Sequence, residues 1–268
     1  MNILITGCNG QLGNEMQLLS RENVLHSYFF TDVEELDITD SEAVEAFVEF
    51  NAIDCIVNCA AYTAVDKAEE NEELCDLLNN VAPGHLAKAV GKRGGIMVQV
   101  STDYVFDGTN HIPYTESEPT CPNSVYGRTK LAGEQSVMAN CTNAMIIRTA
   151  WLYSPYGTNF VKTIMRLSSE RKELRVVNDQ IGTPTYAHDL ALVIKDICKE
   201  VVDVEGVYNY SNEGAISWYD FACAIIEIAG HNCRVVPCTT AEYGAKAARP
   251  AYSVLDKQKI SGVIHRDI

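Results

Sequence analysis

Apolar and polar positions in the first half of the chain follow two alternating periods. Short apolar or β-branched runs at 2–6, 27–31, 55–58, 96–101 and 144–148 have strand length, and the segments between them, 12–20, 41–50, 74–92 and 124–139, repeat apolar residues at helical spacing. The order βαβαβαβαβ predicts an α/β fold, a doubly wound parallel sheet, because parallel neighbours need a crossover and right-handed crossovers put helices on both faces. Loops after the strands then share one edge, where open sheets of this kind bind ligands.

Beyond about Trp151 the pattern is less regular and turn signals crowd together. A helix over 159–170, a strand at 174–177, a helix over 188–202, a strand at 207–210 and a helix over 217–229 would build a smaller C-terminal α/β lobe. No composition break divides the chain. The expected organisation is a dinucleotide-binding domain over 1–150 that includes the catalytic helix, and a mainly substrate-binding lobe over 151–268, some of whose segments return to the large domain.

Composition narrows the partners. With 268 residues, 47% of them hydrophobic, the chain can bury a substantial core, and a net charge of −15 without Lys or Arg clusters excludes a nucleic-acid backbone binder. No apolar stretch approaches the roughly 20 residues that cross a bilayer. Met1 leads directly into a strand-like run without a basic region or cleavage pattern, so a cytoplasmic location is expected. The ten cysteines are scattered, with no Cys-x-x-Cys pair, and are expected to be reduced small hydrophobes without a zinc site.

Candidate chemistry begins where strands end. Thr6-Gly7-Cys8-Asn9-Gly10-Gln11-Leu12-Gly13 joins the first strand to the first helix as Gly-x-x-Gly-x-x-Gly. Glycines permit the tight turn and close backbone approach, while the positive end of the helix favours a pyrophosphate. A P-loop is excluded because the Lys-Ser/Thr ending is absent. A Rossmann-like dinucleotide site is left, with Gly7, Asn9, Gly10, Gln11, Leu12 and Gly13 as its turn. Asp32, after the second strand, stands where an acid accepts from the adenosine ribose and disfavours a 2′-phosphate, which points towards NAD.

Tyr126 and Lys130 lie four apart on one helix, so both project from one face. A phenol is a poor proton relay at neutral pH, and a neighbouring ammonium stabilises its phenolate. Tyr-x-x-x-Lys is the short-chain reductase signature. Thr102, at the end of the fourth strand, is the expected third member, donating to a ketone oxygen that gains negative charge, with Ser101 as the alternative donor. A nicotinamide supplies the hydride, so this chemistry needs no metal.

The runs from Asn58 to Glu69, Ser101 to Gly108, Tyr126 to Glu134, Arg148 to Tyr153 and Asn178 to Thr185 together resemble the dTDP-4-dehydrorhamnose reductase family, within the extended short-chain dehydrogenase/reductase superfamily. The resemblance spans nearly the whole chain, to about Arg249. It implies reduction of the C4 ketone of dTDP-4-dehydro-L-rhamnose to dTDP-L-rhamnose, a precursor of bacterial surface polysaccharides, with NADPH, or NADH in places. By matching motif, Leu36-Asp37-Ile38 would contact the adenine, although Asp37 could instead cap the next helix. Ala60, Ala61 and Tyr62, with Tyr126 and Lys130, would line the cofactor, Thr102, Asp103 and Tyr104 would meet the deoxysugar, Trp151 would pack beside it or else be plain core, and Arg249 would meet the diphosphate. Some relatives dimerise around magnesium. Glu15 and Asp189 match its ligands, but the chain stops at Ile268, where relatives carry another helix, so magnesium-linked dimerisation is not expected; a monomer or homodimer is. Two rivals keep the fold and change the function. One is a non-catalytic NADP-binding regulatory subunit, like that of methionine adenosyltransferase, and loss of Tyr126 or Lys130 would favour it. The other is a related nucleotide-sugar epimerase, reductase or dehydratase; dehydratases carry Asp-Glu after the threonine where Asp103-Tyr104 stands here.

Overall fold

A computed structural model describes residues 1–21, 25–200, 205–264 and 268. In chain order the first half comprises β1 (Asn2–Thr6), α1 (Gln11–Ser20), β2 (Ser27–Thr31), α2 (Ser41–Phe50), β3 (Cys55–Asn58), α3 (Val65–Ala68), α4 (Glu72–Asp76), a π-helical turn Leu77–Val81, α5 (Ala82–Gly91), β4 (Ile96–Thr102), α6 (Val125–Asn140) and β5 (Ala144–Thr149). The second half adds β6 (Leu152–Tyr153), α7 (Phe160–Glu170), β7 (Glu173–Val177), β8 (Ile181–Gly182), β9 (Thr185–Tyr186), α8 (Ala187–Glu200), β10 (Gly206–Asn209), β11 (Ile216–Ser217), α9 (Trp218–Ala229), β12 (Arg234–Cys238), α10 (Thr240–Tyr243) and α11 (Gln258–Ser261).

The central sheet runs β10-β5-β4-β3-β1-β2, and every pairing in it is parallel. β3 and β5 are buried along their whole length, as strands covered on both faces must be. On one face α1 and α8 pack over Leu12, Met16, Leu190 and Ile194; on the other, Val44, Val48, Leu86 and Val90 of α2 and α5 close the core. Strand order reverses between β1 and β3, which opens a crevice at their C-terminal ends. The Rossmann-like sheet is therefore as expected, and β10, from the second half of the chain, forms one of its edges.

A smaller layer is built from α7 and α9 against the parallel pair β7 and β12, around Ile164, Leu174, Ala222 and Ile226. Local chemistry fixes its helices. Asn159 caps α7 by accepting from Lys162 N, while Ser217 and Asp220 form a capping box at α9, which ends on Gly230 in the left-handed region at φ 66°.

The sequence reading does not name α3, β12, α10 or α11, and two further differences concern elements. The single helix expected over 74–92 is α4, the π turn and α5 in succession. Four two-residue strands, β6, β8, β9 and β11, carry no period that a sequence could show. The last residues of the helix expected over 188–202, 201 and 202, lie outside the described residues. All ten cysteines are free thiols, and among the described residues no helix is long and apolar enough to cross a membrane.

Candidate active site

The glycine turn forms one wall of a cavity of about 430 Å³ over the β1–β3 crevice, lined by Gly7, Gly10, Asp32, Leu36, Ile38, Ala60 and others. Gly7 has φ +62°, and a Cβ there would sit 2.7 Å from the Ala60 backbone, so only glycine fits. A Cβ on Gly13 would meet the Gly7 carbonyl at 2.4 Å, which holds α1 tight beneath the turn. Gly10 caps α1 without a side-chain acceptor, leaving first-turn amides open to an anion. Asp32 accepts from Asn9 N at 3.1 Å and Val33 N at 2.9 Å, which aims its carboxylate at the turn. Asp37 borders the cavity and accepts from Thr39, whose hydrogen bonds hold its carboxyl below the usual range; the cap of α2 is Asp40 instead. These features fit a dinucleotide: a cradle a Cβ would fill, unpartnered amides, and an acid at the ribose end.

Tyr62 stands behind this wall rather than in it. Its backbone is clamped by Asn79, which accepts from Tyr62 N at 2.8 Å and donates to Tyr62 O at 3.1 Å. The π turn brings Asn79 to that position, and Tyr62 and Tyr126 both pack against the cluster of Ala68, Cys75 and Val125.

An adjoining cavity of about 570 Å³ collects Gln11, Leu12, Thr102, Asp103, Tyr104, Tyr126, Lys130 and Trp151. Thr102 ends β4, donates to Asp103 Oδ1 at 3.0 Å, and hydrogen-bonds the Tyr126 phenol. Ser101 instead donates to Glu134 Oε1 at 2.5 Å, so the structure separates the two candidate donors. Glu134 also receives a bidentate pair from buried Arg148 at 2.9 and 2.7 Å, a rigid base under α6. Burial raises the Tyr126 phenol well above its ordinary value, partly offset by the Thr102 hydrogen bond. A neutral phenol is the form that donates. Lys130 is pushed down to about 8 by burial, opposed by Glu134, and donates to Val100 O at 2.6 Å. The Lys130 ammonium is thus turned to that carbonyl. Asp103 is 1% exposed, its Oδ2 has no hydrogen-bond partner, and burial pushes its carboxyl up to about 6.

Beyond Tyr104 lies a groove of about 790 Å³ lined by Arg171, Arg175, Gln180, Trp218, Tyr243 and Arg249, among others. Arg249 reaches it with its guanidinium already paired to Asp66 at 2.7 and 3.1 Å. Trp151 has φ +48°, a backbone state costing a bulky residue roughly 1–2 kcal/mol, and its ring stacks on Trp218 at 3.5 Å between centroids. Trp218, Arg171 and Arg175 were not among the residues picked from sequence. Trp218 follows a helix-start signal and is one of only two tryptophans, which is the signal that was there to read.

Of the two residues matched to magnesium ligands, Glu15 is buried with its Oε1 unpartnered. Glu15 is 2% exposed and faces His188 Nδ1 at 2.9 Å, and Asp189 accepts from Asn212 at 2.7 Å. Among the described residues no cluster of three or more His, Cys, Asp or Glu forms.

Comparison with known proteins adds the following. The family model described as RmlD substrate binding domain matches residues 1–267. A dTDP-4-dehydrorhamnose reductase of Aggregatibacter actinomycetemcomitans is 39% identical over 268 residues, covering 96% of this chain and 91% of the relative. The crystal structure of such a reductase from Clostridium acetobutylicum superposes with a TM-score of 0.94 at 44% identity, covering 98% of this chain and 92% of that one. One from Bacillus anthracis, solved in complex with NADP, gives 0.93 at 40% identity, with coverage of 98% and 92%.

Proposed function

The chain belongs to the RmlD substrate binding domain family, and on that premise we propose that it reduces the C4 ketone of dTDP-4-dehydro-L-rhamnose to dTDP-L-rhamnose with NADPH. The observation that carries the chemistry is the Tyr126 phenol hydrogen-bonded to Thr102 on the floor of a cavity that also holds Lys130.

In this reading residues 1–150 hold the cofactor, with its pyrophosphate on the α1 amides and its adenosine end between Asp32 and Ile38. Bound there, the reduced nicotinamide supplies the hydride. The chain supplies the rest. Thr102 and Tyr126 converge on the ketone oxygen and polarise it, and Tyr126 gives up its proton as that oxygen becomes a hydroxyl. Lys130, protonated at neutral pH, adds positive charge on the face of α6 where the phenolate is left. The second half supplies most of the sugar-nucleotide lining, with Trp151 beside the sugar and the arginines of the adjoining groove at the diphosphate end.

The test is NADPH oxidation with enzymatically generated dTDP-4-dehydro-L-rhamnose, comparing wild type with Tyr126→Phe. The variant is expected to lose about 100-fold or more in kcat while binding NADPH as before. A variant with undiminished kcat removes Tyr126 from the mechanism. A wild type that binds cofactor yet oxidises none with this sugar leaves the regulatory-subunit reading in its place.

A further inference from the structure

Trp151 and Trp218 lie near parallel, 10° apart, with ring centroids only 3.5 Å apart. At that separation there is little room for the offset that stacked aromatics prefer, so surrounding packing imposes the arrangement. Each ring is held from its own side. Trp151 follows β5 with a left-handed backbone, its carbonyl accepts from Thr185 N at 3.2 Å, and its indole lies so close to Gly182 that a Cβ there would stand 2.6 Å from it. Trp218 is the first residue of α9, fixed by the Ser217–Asp220 capping box and packed on Phe160 at 4.6 Å between centroids. Trp151 packs with the Phe106–Tyr114 cluster beside the catalytic loop, and Trp218 with the apolar core of the smaller layer. The pair is therefore a direct bridge between the layer of α7 and α9 and the floor that carries Thr102. Both rings line the catalytic cavity, and Trp218 also lines the arginine-bearing groove.

We propose that Trp218 is a positioning residue: by stacking on Trp151 it holds that strained indole as the wall against which the keto sugar lies within reach of Thr102 and Tyr126. The inference rests on the reductase reading given above. A side chain that sets the wall acts through Trp151 on the sugar's orientation, so it affects turnover of the sugar and leaves alone the cradle of Gly7, Gly10 and Asp32, whose lining contains neither tryptophan.

The experiment compares Trp218→Phe, Trp218→Leu and Trp218→Ala with wild type, reading kcat and KM for the keto sugar, KM for NADPH, and tryptophan emission during titration with dTDP-L-rhamnose. Phe keeps a stacking ring and is expected to stay within about threefold of wild-type kcat. Leu and Ala are expected to lose about 10- to 100-fold in kcat on the sugar, the scale of a small misplacement of a reacting group, with KM for NADPH unchanged. A Leu variant at wild-type kcat overturns the proposal. So does a parallel loss of sugar turnover and NADPH binding that Phe does not rescue, which marks a merely structural residue. Emission decides separately, because Trp151 and Trp218 are the only tryptophans. An emission change on adding the sugar nucleotide supports the proposal, and no change at saturation overturns it. Absence of NADPH oxidation by wild type defeats the reductase reading, and the emission titration still judges the tryptophan pair.

Discussion

Asp103 illustrates how much one buried group can do at this site. Its carboxyl is raised from an ordinary 3.8 to about 6, chiefly because burial penalises the charged form, with Ser253 and Thr102 hydroxyls pulling the other way. Tyr104 and Tyr126 face it from the segment after β4 and from α6, and Arg249 reaches the neighbouring Tyr104 from the C-terminal segment. The folded state thus holds its proton more tightly than the unfolded chain does. Stability from this group is full below pH 4 and is lost as pH rises through 6. A shift of about two units corresponds to about 3 kcal/mol at neutral pH. Asp103→Asn is therefore expected to be more stable than wild type at pH 7, by up to that amount, and no more stable near pH 4. Urea denaturation at the two pH values checks this, and an equal difference at both rules the titration out. Since Asp103 anchors Thr102, the same substitution is expected to slow turnover, a stability gain at the expense of function.

That Tyr126, Lys130 and Thr102 share one cavity was legible in the sequence because it follows from spacing: four residues along a helix and one strand end. What was not legible at this scale was direction. No spacing shows that Ser101 turns to Glu134 while Thr102 turns to the phenol, or that Lys130 turns to the Val100 carbonyl, since those choices depend on which face of β4 meets α6.

Among elements, the π turn at 77–81 does work that an uninterrupted α-helix would not. The inserted register carries Asn79 to the backbone of Tyr62, next to the alanines that line the cofactor cavity. α6 packs so closely on this turn that a Cβ on Gly133 would stand 2.0 Å from Asn79 O. Gly133→Ala sets two effects against each other. Replacing a mid-helix glycine gains about 1 kcal/mol in helix propensity, and forcing a backbone oxygen aside costs about 3 kcal/mol. The clash wins, so the variant is expected to lose about 2 kcal/mol on denaturation and to raise KM for NADPH as the clamp on Tyr62 loosens. A variant more stable than wild type, with cofactor binding intact, sinks the clamp. From sequence, 74–92 reads as one helix because a single inserted residue hardly disturbs a 3.6-residue apolar period over so long a stretch. The two-residue strands of the second half were equally invisible, being defined by their partners, such as Ile181 opposite Ser217, and not by any local pattern.

At the scale of the whole molecule the net charge of −15 meets two anionic ligands, and the sites answer it differently. Among the described residues no Lys, Arg or His lines the cavity at Gly7, Asp32 and Ile38, whereas Arg171, Arg175 and Arg249 line the groove beyond Tyr104. The overall field repels both ligands over distances that salt controls, since the screening length falls from about 30 Å at 0.01 M to about 8 Å at 0.15 M. Screening removes long-range repulsion for NADPH and leaves its local contacts, amides and hydrogen bonds, little changed. For the sugar nucleotide it weakens attraction to the arginines as well. Raising salt across that range is therefore expected to lower KM for NADPH, by about two- to fivefold, and to leave KM for the keto sugar unchanged or higher. Initial rates at fixed pH over a salt series distinguish the cases. Parallel falls in both constants would show that the global charge outweighs the arginines, and a rising KM for NADPH would reveal a cation at its phosphates that the cavity lining does not contain.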